Sequence, residues 1–490
     1  MVFSSQIFVF YFLPFALIAY YALRKAPQRA RNLCLALLGY IFYGWANPKF
    51  IFLMFGTTFL DWTLSLVIAY NSWKFWRDWK PKLAELEPGE RTKRQKSALV
   101  LSVVTNLVML GFFKYFNFFL DSYNGLMVTA GASHLQWDTF FRVILPLGIS
   151  FYTFQSLSYI IDVYRGDAKA MRNFIDFSCF VSMFPHLVAG PILKFSFLAD
   201  QLEYRSLTMD KFARGAAFFM LGMGKKILLA NPCGKVADHA FNAHSIHPLD
   251  AWFGAISYSF QIFIDFSAYS DMAIGLGLMF GFVFARNFDS PYRSTSITEF
   301  WRRWHISLST WLREYLYIPL GGNRKGNVRT YVNLMATMLL GGLWHGASWN
   351  FVIWGGLHGG SLAGERALGN NHPYFKLPKI VRGMVTYFIV LVGWVFFRAN
   401  DLGASTAYLA SMFGIGNHGA SATLLPGLMY MPYYLIAFSL AAIAVWFVPD
   451  TWEWTQTLSK RKVIVCASVF ILSIIVLVTQ EYNPFIYFIF

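Results

Sequence analysis

Between Tyr331 and Ile353 the chain reads YVNLMATMLLGGLWHGASWNFVI, without a single Lys, Arg, Asp or Glu. An apolar run of about 20 residues is long enough to cross a bilayer as a helix. In lipid only helices and closed barrels satisfy their own backbone. Comparable runs recur at about 7–23, 32–46, 50–70, 98–120, 141–161, 215–231, 251–283, 384–397, 431–448 and 463–480. The sequence therefore predicts an all-α polytopic membrane protein of about ten to twelve transmembrane helices. Composition agrees: 56% of the 490 residues are hydrophobic and 13% charged, against about 25% charged in soluble domains. No repeat and no linker interrupts the pattern, so a single membrane domain over 1–490 is expected, with peripheral helices in 1–140, a core in 141–365 and C-terminal helices in 384–490.

The net charge of +16 is concentrated. Arg24, Lys25, Arg29 and Arg31 follow the first apolar run, a Lys/Arg-rich loop spans Lys74 to Lys96, and Lys460, Arg461 and Lys462 precede the last run. The positive-inside rule places these in the cytoplasm and both termini outside. The first run, Ile7 to Leu23, has neither a basic lead nor a small-residue cleavage pattern and reads as a retained span. No basic face with interleaved stacking aromatics lies outside the membrane, so no nucleic-acid partner is expected. Cys34, Cys179, Cys233 and Cys466 lack metal-ligand spacing and read as packing residues, and no metal is expected.

Histidine inside such a chain is costly. An ionisable side chain at membrane depth faces a cavity or a partner and marks a candidate site. His345 sits in GGLWHGASWN (341–350), where glycines allow close approach and Trp344 and Trp349 are expected to wall it. His305 lies in a second segment, 287–330. A helix from about Glu299 to Tyr317, capped by Ser296 or Thr298 and ended by Pro319 and Gly321-Gly322, is predicted there. At 100° per residue it sets Trp301, Trp304, Leu308, Trp311 and Tyr315 opposite Arg302, His305, Ser309 and Arg313. This is either an in-plane or re-entrant amphipathic helix facing a polar space or a surface helix whose arginines touch lipid.

Another apolar but broken stretch, Phe174 to Ile192, carries His186 among Pro185, Gly190 and Pro191. It reads as a re-entrant element, with a structural role for the histidine favoured. The span 251–283 places Gln261, Asp265 and Tyr269 at helical spacing, with Asp271 two positions on. Asp265 must be paired or hydrated, either orienting a histidine or bonding another helix. Asp61, Asp162 and Glu365 receive structural readings.

A neutral imidazole takes a proton from a hydroxyl and returns it to a leaving group. Acyl transfer from a thioester adds only an oxyanion stabiliser and positioning. No nucleophile elbow, Walker loop, Rossmann glycine pattern or zincin helix is present. Direct attack of a hydroxyl activated by His345 is the simplest chemistry left.

The segments WRRWHISLS (301–309), YLYIPLGGNR (315–324) and GLWHGA (342–347) together resemble the membrane-bound O-acyltransferases. PLGISFYTFQ (146–155), SYIIDVYRG (158–166) and FPHLVAGP (184–191) are similar to the bacterial branch that O-acetylates surface polysaccharides. The resemblance covers nearly the whole chain. It implies helices around a central funnel, with His345 at the catalytic position and His305 as a second histidine near the tunnel. Gln261, Asp265, Tyr269, Trp344, Trp349 and Asn350 are then tunnel or supporting candidates. The implied donor is cytoplasmic acetyl-CoA, whose phosphates would meet Arg302, Arg303, Arg313, Arg324 and Lys325. Membrane lipid offers those cations a competing role.

The terminal Phe485-Ile486-Tyr487-Phe488 is similar to a motif of this branch in which tyrosine is proposed to carry the acyl group. Read by composition alone, it is an interfacial aromatic belt. The resemblance implies an inner-membrane protein that passes acetyl outward to an alginate-like polysaccharide. A periplasmic SGNH-type serine acetyltransferase and polysaccharide export machinery are the implied partners. A polysaccharide or lipid transporter and a secretion-complex scaffold are the alternatives. Transport would call for repeats and paired intramembrane charges.

Overall fold

Backbone groups that lipid cannot satisfy must bond within their own segment, and every element among the described residues is helical. The computed structural model describes residues 1–78, 85–87, 89–137, 141–188, 190–369, 372–415 and 425–484. Five described helices are long and apolar enough to cross a membrane: Phe50–Tyr70, Lys93–Thr129, Pro248–Met279, Lys379–Arg398 and Lys460–Thr479. Phe8–Ala22 and Pro432–Trp446 are shorter apolar helices. The chain is a multi-pass membrane protein.

Its helices gather into two units, one of residues 7–208 with 280–283, the other of 2–6, 209–279 and 284–490. Residues 141–208, expected with the core, group with the first unit. That unit contains α1 (Leu13–Ala22), α2 (Gln28–Gly44), α3 (Phe50–Tyr70), α4 (Lys93–Thr129), α5 (Ile149–Arg165), α6 (Phe174–Ser182), α7 (Phe184–Leu187) and α8 (Phe195–Glu203). The break expected in 174–192 falls between α6 and α7. There His186 Nε2 lies 2.8 Å from the Phe180 carbonyl oxygen and the side chain is fully buried, which fits the structural role. Asp61 is equally structural, accepting from Ser102 Oγ and Asn106 Nδ2.

The second unit holds α9 (Met209–Gly224), a π-helical turn Lys225–Ala230, α10 (Asn231–Phe241), α11 (Pro248–Met279), α12 (Ile297–Arg303), α13 (Ile306–Leu312), α14 (Asn327–His345) and α15 (Trp349–Leu368). It continues with α16 (Pro373–Lys376), α17 (Lys379–Arg398), α18 (Leu402–Met412), α19 (Leu425–Met429), α20 (Pro432–Trp446), α21 (Thr451–Trp454) and α22 (Lys460–Thr479). Its core is aromatic: Phe266, Phe300, Trp304, Trp354, Trp394 and Phe397 belong to one buried cluster. The Trp394 Nε1–H donates to Tyr292 Oη (2.9 Å), whose hydroxyl donates to the Ser259 carbonyl (2.7 Å). In this chain of bonds the buried polar ends of Trp394 and Tyr292 are satisfied.

Two expected helices are interrupted. The run 331–353 is not one span: α14 ends at His345, and α15 begins at Trp349 after Gly346-Ala347-Ser348. The two helices press together where Gly342 and Gly355 remove side chains. A Cβ on Gly342 would lie 2.2 Å from the Phe351 carbonyl oxygen, and one on Gly355 would lie 2.4 Å from that of Met338. Continuity would have carried His345 along the middle of a span. The turn places it at a helix end instead.

The 299–317 helix is likewise split. Ser296 caps α12 as expected, its Oγ accepting from Glu299 N at 3.0 Å. The helix then stops at Arg303, because His305 adopts φ 43° and ψ 55°, a left-handed conformation rare for a residue with a Cβ. Asn287 secures this corner, its carbonyl accepting from Ile306 N at 2.8 Å.

Candidate functional site

His305 lies on neither stripe of the expected amphipathic helix. The left-handed corner rotates it inward, and it is fully buried with its ring 4.7 Å from that of Phe266 of α11. Arg302 and Arg313, expected beside it, stay exposed. A residue that the sequence reading passed over sets the histidine's chemistry. Asn287 Oδ1 accepts from Ser307 N (3.2 Å) and Ser307 Oγ (2.8 Å) and lies 3.1 Å from His305 Nδ1. A backbone N–H only donates, so the Asn287 atom facing it is the oxygen. Facing that acceptor, His305 Nδ1 carries the hydrogen, which leaves Nε2 with a lone pair. That Nε2 is buried without a protein partner among the described residues.

His345 is reached through one indole. The Trp344 ring centroid is 6.2 Å from that of His305 and 5.0 Å from that of His345. Trp354 (5.2 Å) and Phe397 (5.3 Å) close around His345, which is 8% exposed. Trp344 therefore walls the site as expected, whereas Trp349 is 56% exposed and does not. The second aromatic wall is Trp354, one turn into α15. Asn350 is buried and donates from Nδ2 to the Ala399 carbonyl at 2.7 Å, which ties the start of α15 to the end of α17.

Asp265 pairs with Lys226, not with a histidine. Lys226 Nζ lies 2.9 Å from Asp265 Oδ1, and both side chains are within 2% of full burial. Beside it Lys225 Nζ meets Asp271 Oδ2 at 2.9 Å. Both lysines stand on the π-helical turn, a distortion frequent at functional sites, and no sequence pattern marked them. Tyr269 stacks on Phe3 with centroids 4.3 Å apart. Gln261 is buried on the same helix.

The basic candidates divide. Arg303 is engaged by Glu299 (2.9 Å) and Asp289 (3.5 Å). Arg313, paired with Glu314 at 3.1 Å, and Arg324 line a cleft of about 240 Å³ with Tyr317 and the 321–323 loop. The Lys325 stem lies against Gly321. Asp289, Asp450 and Glu453 close around the Arg286 guanidinium, which offsets one of their three negative charges. Tyr487 lies outside the described residues.

The family described as MBOAT, membrane-bound O-acyltransferase family, matches residues 168–404. The chain is 44% identical to the probable alginate O-acetylase AlgI of Pseudomonas putida over the full length of both chains. It is 50% identical to the probable alginate O-acetylase AlgI of Pseudomonas syringae pv. tomato, over 85% of this chain and 76% of that one. It is 35% identical to the peptidoglycan O-acetyltransferase of Helicobacter pylori, over 85% and 80%. The chain belongs to the membrane-bound O-acyltransferase family.

This membrane-bound O-acyltransferase is accordingly an acyltransferase. The Lys226–Asp265 and Lys225–Asp271 pairs tie its π-helical turn to α11. The family match spans both histidines, α11 and the helical break between His345 and Trp349. His358, missed in the sequence, is also inside it. It is fully buried, its Nδ1 accepts from Trp301 Nε1 at 3.3 Å, and Nε2 has no partner among the described residues. A Trp-Gly-Gly-Leu-His run (354–358) one turn beyond the first histidine motif was the available signal.

Proposed function

We propose that the protein moves acetyl from acetyl-CoA at the cytoplasmic side to an acceptor for O-acetylation of an alginate-like polysaccharide outside the inner membrane. The observation that carries this reading is the buried His305–Trp344–His345 group, in which one indole contacts both imidazoles. His345 accepts the proton of an attacking hydroxyl while that oxygen bonds to the thioester carbonyl carbon. As the C–S bond breaks, the proton passes to the thiolate sulfur, so no proton is gained or lost overall. His305, whose Nδ1 hydrogen is committed to Asn287, presents Nε2 as an acceptor that orients the O–H or N–H groups beside it. The aromatic walls exclude water, which would otherwise compete as nucleophile.

Names of the relatives support the acetyl group and a glycan acceptor. Arg313 and Arg324 at their cleft are the favoured cations for the coenzyme phosphates. Both termini are read as periplasmic: the Lys460–Lys462 cluster precedes α22, and Asn483 Nδ2 donates to the Ser4 carbonyl at 2.8 Å, so the ends share one side. Tyr487 takes the acetyl group as a relay, and an SGNH-type serine transferase working with the export machinery collects it. Replacing Tyr487 by Phe tests the relay through polymer acetylation, which should fall to background; full acetylation would exclude it.

A further inference from the structure

The end of the described chain is bound by polar groups that simple packing does not require. Tyr482 donates its hydroxyl to Asp238 Oδ2, while Arg398 holds the other carboxylate oxygen at 2.6 Å. Burial, and then Asp238 itself, raise the Tyr482 hydroxyl well above its ordinary value, so it stays a donor. Lys235 Nζ lies 4.7 Å above the Tyr482 ring. Asn231 Nδ2 donates to the Tyr482 carbonyl and to Asn483 Oδ1, both at 3.3 Å. Lys226 donates to the Pro484 carbonyl. Lys226 and Asn231 are 2% and 3% exposed, and burying a cation and an amide costs more than an apolar lining would. Together Asp238, Asn231 and Lys226 read successive residues of one short peptide: the Tyr482 hydroxyl, the Asn483 amide oxygen and the Pro484 carbonyl.

This receptor adjoins the histidine site through a single helix. The lysine that binds Pro484 is paired with Asp265, and the next residue of α11, Phe266, touches His305. From Pro484, a residue three positions on has its Cα within about 11 Å along an extended chain. That is the position of Tyr487.

We propose that Lys226, Asn231 and Asp238 form a built-in receptor for the Tyr482–Asn483–Pro484 peptide and act as positioning residues for the acyl-carrying tyrosine. The proposal rests on the relay reading above. Tethering replaces a search in solution by a local one and raises the effective concentration of the acceptor hydroxyl without touching the chemistry.

The test uses the full chain in membranes, with the four native cysteines replaced by serine and Ser5→Cys and Glu481→Cys introduced beside the Asn483–Ser4 contact, which leaves Asn483 and its bonds in place. A short bifunctional thiol reagent then reports whether the tail lies in its receptor, and polysaccharide acetylation reports function. Tyr482→Phe leaves the Asp238–Arg398 pair intact, and Asn231→Ala removes the amide. Each is expected to cut the crosslink yield and acetylation by about tenfold. Crosslinking the remaining tail should return acetylation to near the parent level, which a folding defect would not allow. Unchanged crosslinking in both variants, or lost acetylation that stapling fails to restore, overturns the receptor. Full acetylation in Tyr487→Phe instead removes the relay and leaves the crosslink yields to decide the receptor.

Discussion

Nδ1 of His305 lies 3.1 Å from Oδ1 of Asn287, and this contact fixes which nitrogen of the ring carries the lone pair. The same oxygen is pinned by Ser307, so the amide cannot turn its NH2 toward the ring without losing a backbone bond. A left-handed corner at His305 is the conformational cost of reaching this arrangement, about 1–3 kcal/mol for such a backbone. Strain of this kind persists where the surrounding structure over-determines it.

Asn287→Ala should therefore lower acetyl-CoA turnover by about tenfold or more without removing either imidazole, short of the 10²–10⁴ typical of losing a proton-handling group. Steady-state kinetics on purified protein checks this. A loss confined to KM would assign Asn287 to substrate binding instead.

The close contact of α14 and α15 predicts a graded response to single methyl groups. Gly342→Ala places a Cβ against the Phe351 carbonyl and must push His345 off its position. Activity should drop by about tenfold to a hundredfold, since a 1 Å displacement of reacting groups has that effect. Gly360→Ala on the same helix pair meets nothing within 4 Å and should be silent. Equal effects of the two would show that helix spacing does not set the site.

Lys226 and Asp265 form a buried ion pair, so removing one partner strands the other. Lys226→Met or Asp265→Leu alone should destabilise the protein by about 3–5 kcal/mol, seen as a lower melting temperature in detergent. The double variant should recover most of that loss. Because Lys226 also holds Pro484, the recovered double variant should remain poor in polymer acetylation.

Both histidines were legible in the sequence because ionisable groups amid apolar residues violate the expected pattern, and so were Trp344 and the Ser296 cap. Their geometry was not. Periodicity assumes unbroken helices, and it cannot foresee that His305 takes a left-handed conformation or that α14 turns at Gly346. The helical wheel consequently put His305 with exposed arginines, and proximity to His345 in the 341–350 motif put Trp349 at the wall that Trp354 supplies. Asn287, Lys226 and His358 escaped notice for another reason. Their roles depend on partners 18 to 57 residues away or further, and no local spacing encodes such a pairing.

Thioester cleavage at the His305–Trp344–His345 group can be followed with radiolabelled acetyl-CoA and purified wild-type, His345→Ala and His305→Ala proteins. Label should pass to the wild-type chain and coenzyme A should be released. Both variants should be slower by at least about a hundredfold, with their melting temperatures unchanged. Wild-type rates in a folded His345→Ala protein would contradict cleavage at this group.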